Sequence, residues 1–180
     1  MINDSIKFLV QSIEKSPVLV ENGCNYQKLS NIFPNELLTE LADCNPSSVL
    51  VKKLENQISY PRVRIDYAET ISKKINLIFK SKKITELFEN KYNLKLVAQT
   101  TDIWFDSKGY NLSPHTDNPE LAMSMQIYLD TNKNIPGTAL FESKDAMSPF
   151  CQFKYERNNG YSLLNNQTGY HGTAFAMETT

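Results

Sequence analysis

The chain is 180 residues long, 41% hydrophobic and 11% aromatic, with a formal charge of −1. That length predicts one domain with an ordinary apolar core, and the near-neutral charge argues against a globally basic partner surface for nucleic acid or anionic membrane. No apolar run approaches the roughly 18 residues of a membrane span, and an acid stands too early in the N-terminal stretch for a signal peptide, so cytoplasmic placement is expected.

The first half reads as helical. Ile6, Leu9, Val10 and Ile13 recur at the spacing of one helix face. Pro34 sits where the first turn of a second helix would begin, Leu37, Leu38 and Leu41 form its stripe, and Asn45-Pro46 closes it. Ile71, Ile75, Ile78 and Phe79 predict a third helix; Ile84, Leu87 and Phe88 predict a fourth that ends near Asn90. The lysines Lys73, Lys74, Lys80, Lys82 and Lys83 lie off these stripes and read as a solvated face.

The pattern then changes to short runs of strand residues split by turn formers. Strands are expected within Leu94 to Phe105, Met123 to Leu129, Thr138 to Phe141, Phe153 to Tyr155, Tyr161 to Leu164 and Tyr170 to Ala176, with turns at Asp106 to Gly109 and Asp130 to Gly137. The expectation is one α+β domain over 1–180: a mainly helical layer over 1–93, and a sandwich or barrel of strands over 94–180. Cys24, Cys44 and Cys151 are odd in number and widely spaced, which suits free thiols better than a zinc site.

The sequence contains two histidines, His115 and His171. In an extended segment residues i and i+2 point to the same side. His115 and Asp117 can therefore reach one metal ion while Thr116 points away, and Pro114 favours an extended entry. A lone histidine is more often held by hydrogen bonds in a core or on a surface, and His-x-Asp is common by chance. Here the tripeptide precedes a predicted strand, and the second histidine lies in the last one. Two imidazoles and a carboxylate form the two-His-one-carboxylate set that holds Fe(II) on one face, although Mn, Co, Ni or Zn would also bind it.

The segments WFDSKGYNLSPHTDNP, SMQIYLD, PGTALF and GYSLLNNQTGYHGTAF carry a resemblance. Leu94 to Phe175 resembles the double-stranded β-helix (jelly-roll, cupin-like) core of the Fe(II)/2-oxoglutarate-dependent dioxygenases, above all their prolyl-4-hydroxylase-like branch. The first half resembles the helices that buttress that core. The resemblance implies that His115, Asp117 and His171 hold iron, that Tyr128 hydrogen-bonds 2-oxoglutarate, that Thr173 flanks it, and that Trp104 or Phe105 lines the pocket. Tyr128 and Phe105 could equally be plain core aromatics. The implied activity consumes O2, decarboxylates 2-oxoglutarate to succinate, and hydroxylates a peptidyl (for instance prolyl) or small-molecule substrate. Relatives that halogenate lack the carboxylate; Asp117 is present, so hydroxylation or demethylation is implied.

The pattern breaks at its end. The family places an Arg or Lys shortly after the distal histidine, to pair with the far carboxylate of 2-oxoglutarate. Here no cation follows His171 before Thr180. Either the chain stops short of that residue and the last core strand, or Arg157 or Lys144 provides the charge. An open sheet edge left in this way would be covered in a homodimer. Arg62 and Arg64 read as surface salt-bridge residues that could reach toward substrate. The missing cation also favours a rival reading, a non-oxygenase cupin-type protein that binds metal or a small ligand. A nucleic-acid-repair role lacks the spaced arginines and the basic groove it would need.

Overall fold

The computed structural model describes residues 1–44, 51–53, 62–65, 69–96, 101–107, 109–131 and 137–173. Its elements are mixed α and β, and all strand pairings are antiparallel.

Helix α1 spans Ile2–Lys15, with Leu9, Val10 and Ile13 buried as the periodicity predicts. The terminal ammonium bonds Asp4 at 2.8 Å, an acid in the first turn where the helix dipole favours it. Helix α2 spans Asn35–Ala42 behind Pro34 and buries Leu37, Leu38 and Leu41. Helix α3 spans Glu69–Phe79. Helix α4 spans Lys82–Tyr92, beginning at Ser81, whose hydroxyl accepts from the Ile84 N–H, and ending at Asn93 in the left-handed conformation. It therefore runs past Asn90 to bury Tyr92. The close of the second helix at Asn45-Pro46 lies outside the described residues.

Two strands fall in the half that reads as helical. β1 (Leu19–Glu21) and β2 (Cys24–Ser30) form a hairpin with Glu21 opposite Cys24. Its two-residue turn is Asn22-Gly23, both at positive φ, the geometry a tight hairpin demands and the dipeptide that supplies it. A further strand, β3 (Arg62–Ile65), pairs with β4 (Ile103–Asp106). Among the described residues of the strand expected over Leu94 to Phe105, Ile103 to Phe105 are paired, and Asp106 belongs to the strand, not to the turn after it. Leu94 and Leu96 instead donate to the Glu89 backbone and carboxylate, which ties them to the end of α4. The remaining strands are β5 (Met123–Ile127), β6 (Thr138–Phe141), β7 (Cys151–Gln152), β8 (Asn159–Leu164) and β9 (Tyr170–Thr173). Pairing at β7 thus precedes the expected Phe153 to Tyr155. Phe153 is drawn into aromatic packing, stacked on Tyr161 at 4.3 Å and edge-on to Tyr26 at 5.8 Å. The end of the strand expected to reach Ala176 lies outside the described residues.

One sheet runs in the order β1-β2-β8-β5, a second β7-β6-β9, and β3-β4 forms a separate ribbon. Among the described residues no sheet closes into a barrel. The first sheet has two occupied faces. On one, Met123, Met125, Ile127 and Leu164 pack with Leu29 against Leu9, Ile13, Leu37, Ile78, Ile84 and Phe88 of the helices. On the other, Tyr26, Tyr161 and Leu163 pack against Leu140, Cys151 and Phe153, so the two sheets share a core. The alternation of side chains along each strand divides these roles residue by residue.

A polar knot fastens the helices to the sheet. The buried Gln27 amide donates to the carbonyls of Ile13 and Ser16 at the end of α1, at 3.3 and 2.6 Å. Its carbonyl accepts from Ser162, which also meets the Tyr92 hydroxyl at 2.7 Å. Lys91 adds a bond to the Ser16 carbonyl at 2.7 Å. Orphan carbonyls at a helix end are thereby satisfied by side chains instead of water. No described helix is long and apolar enough to cross a membrane.

Candidate metal centre

The two histidines meet through the backbone. His115 and His171 form an antiparallel bridge in which each N–H donates to the other's carbonyl, at 2.9 and 2.8 Å. Residues so paired project to the same side of a sheet, and the two rings lie 4.5 Å apart between centroids. The segment before His115 is fastened further along β9, where Thr173 N–H donates to the Leu112 carbonyl and the Thr173 hydroxyl accepts from the Leu112 N–H. Gly172 permits this approach: a Cβ there would stand 2.6 Å from the Leu112 carbonyl oxygen.

Asp117 completes the group. Ligand atoms of His115, Asp117 and His171 all lie within 4.8 Å of one another, and Asp117 Oδ1 is 3.6 Å from His171 Nε2. Donors on one face of an ion at about 2.1 Å stand about 3.0 Å apart in an octahedron and about 3.4 Å in a tetrahedron, so the Asp117–His171 pair would close by a few tenths of an ångström on an ion. Thr116 is exposed, as the i, i+2 reading predicts.

The imidazoles are oriented for ligation. His115 Nδ1 lies 2.9 Å from the Ser113 carbonyl and His171 Nδ1 lies 3.1 Å from the Gly169 carbonyl. A carbonyl only accepts, so each Nδ1 carries the hydrogen and each Nε2 keeps its lone pair in the neutral ring. Backbone acceptors behind ligating histidines fix the ring and its tautomer in this way.

Asp117 is held from behind by Ser124, whose hydroxyl donates to Oδ2. The Asn165 amide donates in turn to the Ser124 oxygen at 3.2 Å. The donor must be the amide nitrogen, because the Ser124 hydrogen is already directed at a carboxylate. Asn165 Oδ1 is consequently left buried without a partner, the only such side-chain atom among the described residues. The hydrogen bond from His171, against the opposing effect of burial, holds the Asp117 carboxyl at about 2, with Ser124 assisting. Burial depresses the His171 imidazole, but the Asp117 carboxylate outweighs it and the net shift is upward. Each partner thus prefers its charged form beside the other in the metal-free protein.

Beyond the triad, the inner face of β5 continues with Gln126, which accepts from the Tyr161 hydroxyl at 3.0 Å. Tyr128 is buried, and its oxygen accepts from the Thr138 N–H at 2.9 Å. Desolvation raises both phenols. Thr173 shares the His171 side of β9, but its oxygen is engaged by Leu112, so it splices two segments together. Trp104 is half-exposed. Phe105, one residue on, points to the opposite side of β4, so the two aromatics do not line one wall together.

Arg157 lies apart from the triad. Its guanidinium donates to Thr39 on α2 at 3.2 Å, and it precedes the end of β8 remote from Leu163, the partner of Ser124. Six residues of extended chain separate those ends by about 20 Å. Lys144 is exposed on the connection after β6. Arg62 departs most from the sequence reading. It is not a surface pair but a bidentate one, with Nε and Nη2 donating to Asp106 at 2.5 and 2.9 Å, while Arg64 makes only a loose exposed contact with Asp102.

Ser124, Gln126, Tyr161, Asn165 and Arg62 were not selected as site residues by sequence reasoning. One signal for two of them was present. In SMQIYLD the polar positions Ser124 and Gln126 alternate with Met125 and Ile127, a half-polar inner face beside a predicted ligand. Comparison of the chain with protein-family models, with curated proteins and with solved structures finds no match.

Proposed function

We propose that the chain is an Fe(II)- and 2-oxoglutarate-dependent oxygenase on a double-stranded β-helix. The observation that carries the reading is the convergence of two imidazoles, each with Nδ1 on a backbone carbonyl, upon a carboxylate braced by Ser124 and Asn165. Structural metal sites usually present four protein ligands, whereas three leave positions for other molecules. The jelly-roll reading draws support from two antiparallel sheets sharing a core, the second of which is extended beyond β9 by 112–115.

Fe(II) and 2-oxoglutarate bound there would supply O2 activation and oxidative decarboxylation to succinate, chemistry no side chain provides. The protein's part is positional. His115 and His171 present neutral nitrogen donors, Asp117 a carboxylate, and Ser124 with Asn165 fixes which carboxylate oxygen faces the ion. Gln126, Tyr128 and Tyr161 add polar groups to the same inner face. The exposed connections 118–122 and 142–149 frame the mouth, where a peptidyl or small-molecule substrate would be selected.

The test is anaerobic addition of Fe(II) and then 2-oxoglutarate. The expected result is a weak visible band and a 2-oxoglutarate-dependent rise in Tm, both lost in His115→Ala. Metal binding with no response to 2-oxoglutarate would overturn the oxygenase reading in favour of a cupin-type metal-binding protein.

A further inference from the structure

Asn165 lies on the face of the first sheet that carries the metal centre. Side chains alternate along β8 and into the residue after it. Leu163 belongs to the core between the sheets and Leu164 to the helix-side core, so Asn165 returns to the inner face. Its amide meets Ser124 there at 3.2 Å. Its backbone N–H donates to the Ala122 carbonyl at 3.0 Å, which fixes it beside the start of β5.

The orientation of its carboxamide is forced from the metal centre outward. As a metal ligand Asp117 is a carboxylate, which only accepts. Ser124 has one hydroxyl hydrogen and directs it at Asp117 Oδ2, so the Ser124 oxygen must accept and Asn165 must present Nδ2 to it. Oδ1 is thereby shielded from solvent and left without a partner. Turning the amide over would set Oδ1 against the Ser124 oxygen with no hydrogen between them, and would strand an N–H instead. The lone acceptor is therefore built into the centre, in a side chain two hydrogen bonds from a metal ligand.

Chemistry limits what can fill it. 2-Oxoglutarate carries two carboxylates and a ketone, all acceptors at neutral pH, and O2 carries no donor. A buried water makes about three hydrogen bonds, and among the described residues no second buried side-chain atom is left without a partner to share it. The substrate is the remaining component. We propose that Asn165 Oδ1 receives an N–H or O–H of the substrate seated at His115, Asp117 and His171, so that the centre selects molecules with a hydrogen-bond donor near the ion. This rests on the oxygenase reading above and narrows its substrates to amides, amines and alcohols. The nitrogen of a peptidyl proline carries no hydrogen, so that residue does not supply the contact through its backbone. The oxygen of Asn165 thus sets specificity, while its Nδ2 braces Asp117.

Two matched pairs of small metal ligands serve as probes: acetohydroxamate against N-methylacetohydroxamate, and imidazole against 1-methylimidazole. The members of a pair bind metal through the same atoms and differ in one N–H. Each is titrated into Co(II)-loaded protein and followed by the visible spectrum and by calorimetry, with its affinity for free Co(II) as reference. Wild type should prefer the N–H member of at least one pair by about fivefold or more beyond that reference. Asn165→Ala should bring the preference to within about twofold in metal-saturated protein, because loss of the Asp117 brace falls on both members alike. Asn165→Asp keeps an acceptor and loses the Nδ2 donor, so it should weaken Co(II) binding yet retain the preference; it decides if Asn165→Ala fails to fold by circular dichroism. No preference in either pair by wild type overturns the assignment and leaves a trapped water as the partner of that oxygen. A preference that survives in Asn165→Ala, or that is lost in Asn165→Asp where only that variant folds, overturns it too. Absence of Co(II) binding overturns the metal-centre reading and this assignment with it. A donor preference without any response of the Fe(II)-loaded protein to 2-oxoglutarate overturns the oxygenase reading alone, a distinct result.

Discussion

The two faces of the sheet β1-β2-β8-β5 both carry polar groups among apolar ones, yet they use them differently. On the helix side, Gln27, Ser162 and Tyr92 bond to one another and to helix-end carbonyls, and the network is closed. On the inner side the chain from Asp117 through Ser124 to Asn165 ends on an unpartnered oxygen, and the two imidazoles gather at its carboxylate end. A closed polar network docks one layer on another. An open one, here less deeply buried than the closed one, has stability withheld from it and is the natural place for a ligand.

Four substitutions separate the faces, and the largest effect lies in the aliphatic core. Ile78→Ala, at a fully buried helix-side position, should cost about 2–5 kcal/mol in urea unfolding while leaving metal affinity of the folded fraction unchanged. A parallel fall in metal affinity would mean the faces are not independent. His171→Ala should do the reverse. Calorimetry should show metal binding weakened by at least about a hundredfold, near 2.7 kcal/mol, with a smaller change in the urea midpoint in chelator than Ile78→Ala produces.

The two network variants sharpen the contrast. Ser162→Ala strips partners from buried Gln27 and Tyr92 and should cost about 1–3 kcal/mol of stability without touching metal affinity. Asn165→Ala removes a hydrogen bond but also the unpartnered oxygen, so stability should change by less than about 1 kcal/mol. Metal affinity should fall about tenfold, as Asp117 loses its indirect brace. A large stability loss with normal metal binding in Asn165→Ala would identify the inner network as another structural knot.

What was legible in the sequence follows the same division. Helical stripes and the strands β5, β6, β8 and β9 could be read because burial imposes a period. So could the triad, because histidine is scarce and His115 and Asp117 are two apart. The strand β2 escaped, since Cys24, Asn25, Gln27 and Lys28 give it little apolar signal, although the Asn22-Gly23 turn announced a hairpin. Arg62 escaped for another reason. Its partner Asp106 is distant in the chain, and only the register of β3 on β4 sets the two opposite each other. Ser124 and Asn165 are common residue types whose roles depend on what faces them, which no single-chain pattern encodes.

The reciprocal backbone bridge between His115 and His171 has a consequence for how this gene can vary. Because side chains alternate about a pleat, the loss or gain of one codon between Leu112 and His115 would turn the first imidazole outward while leaving β9 intact. The chain could still fold, yet the centre would be gone. The same one-codon change in the exposed connection 142–149 would alter only a loop's length. Reading-frame-preserving insertions and deletions should therefore accumulate in that loop and be absent from the three residues that lead to the first histidine.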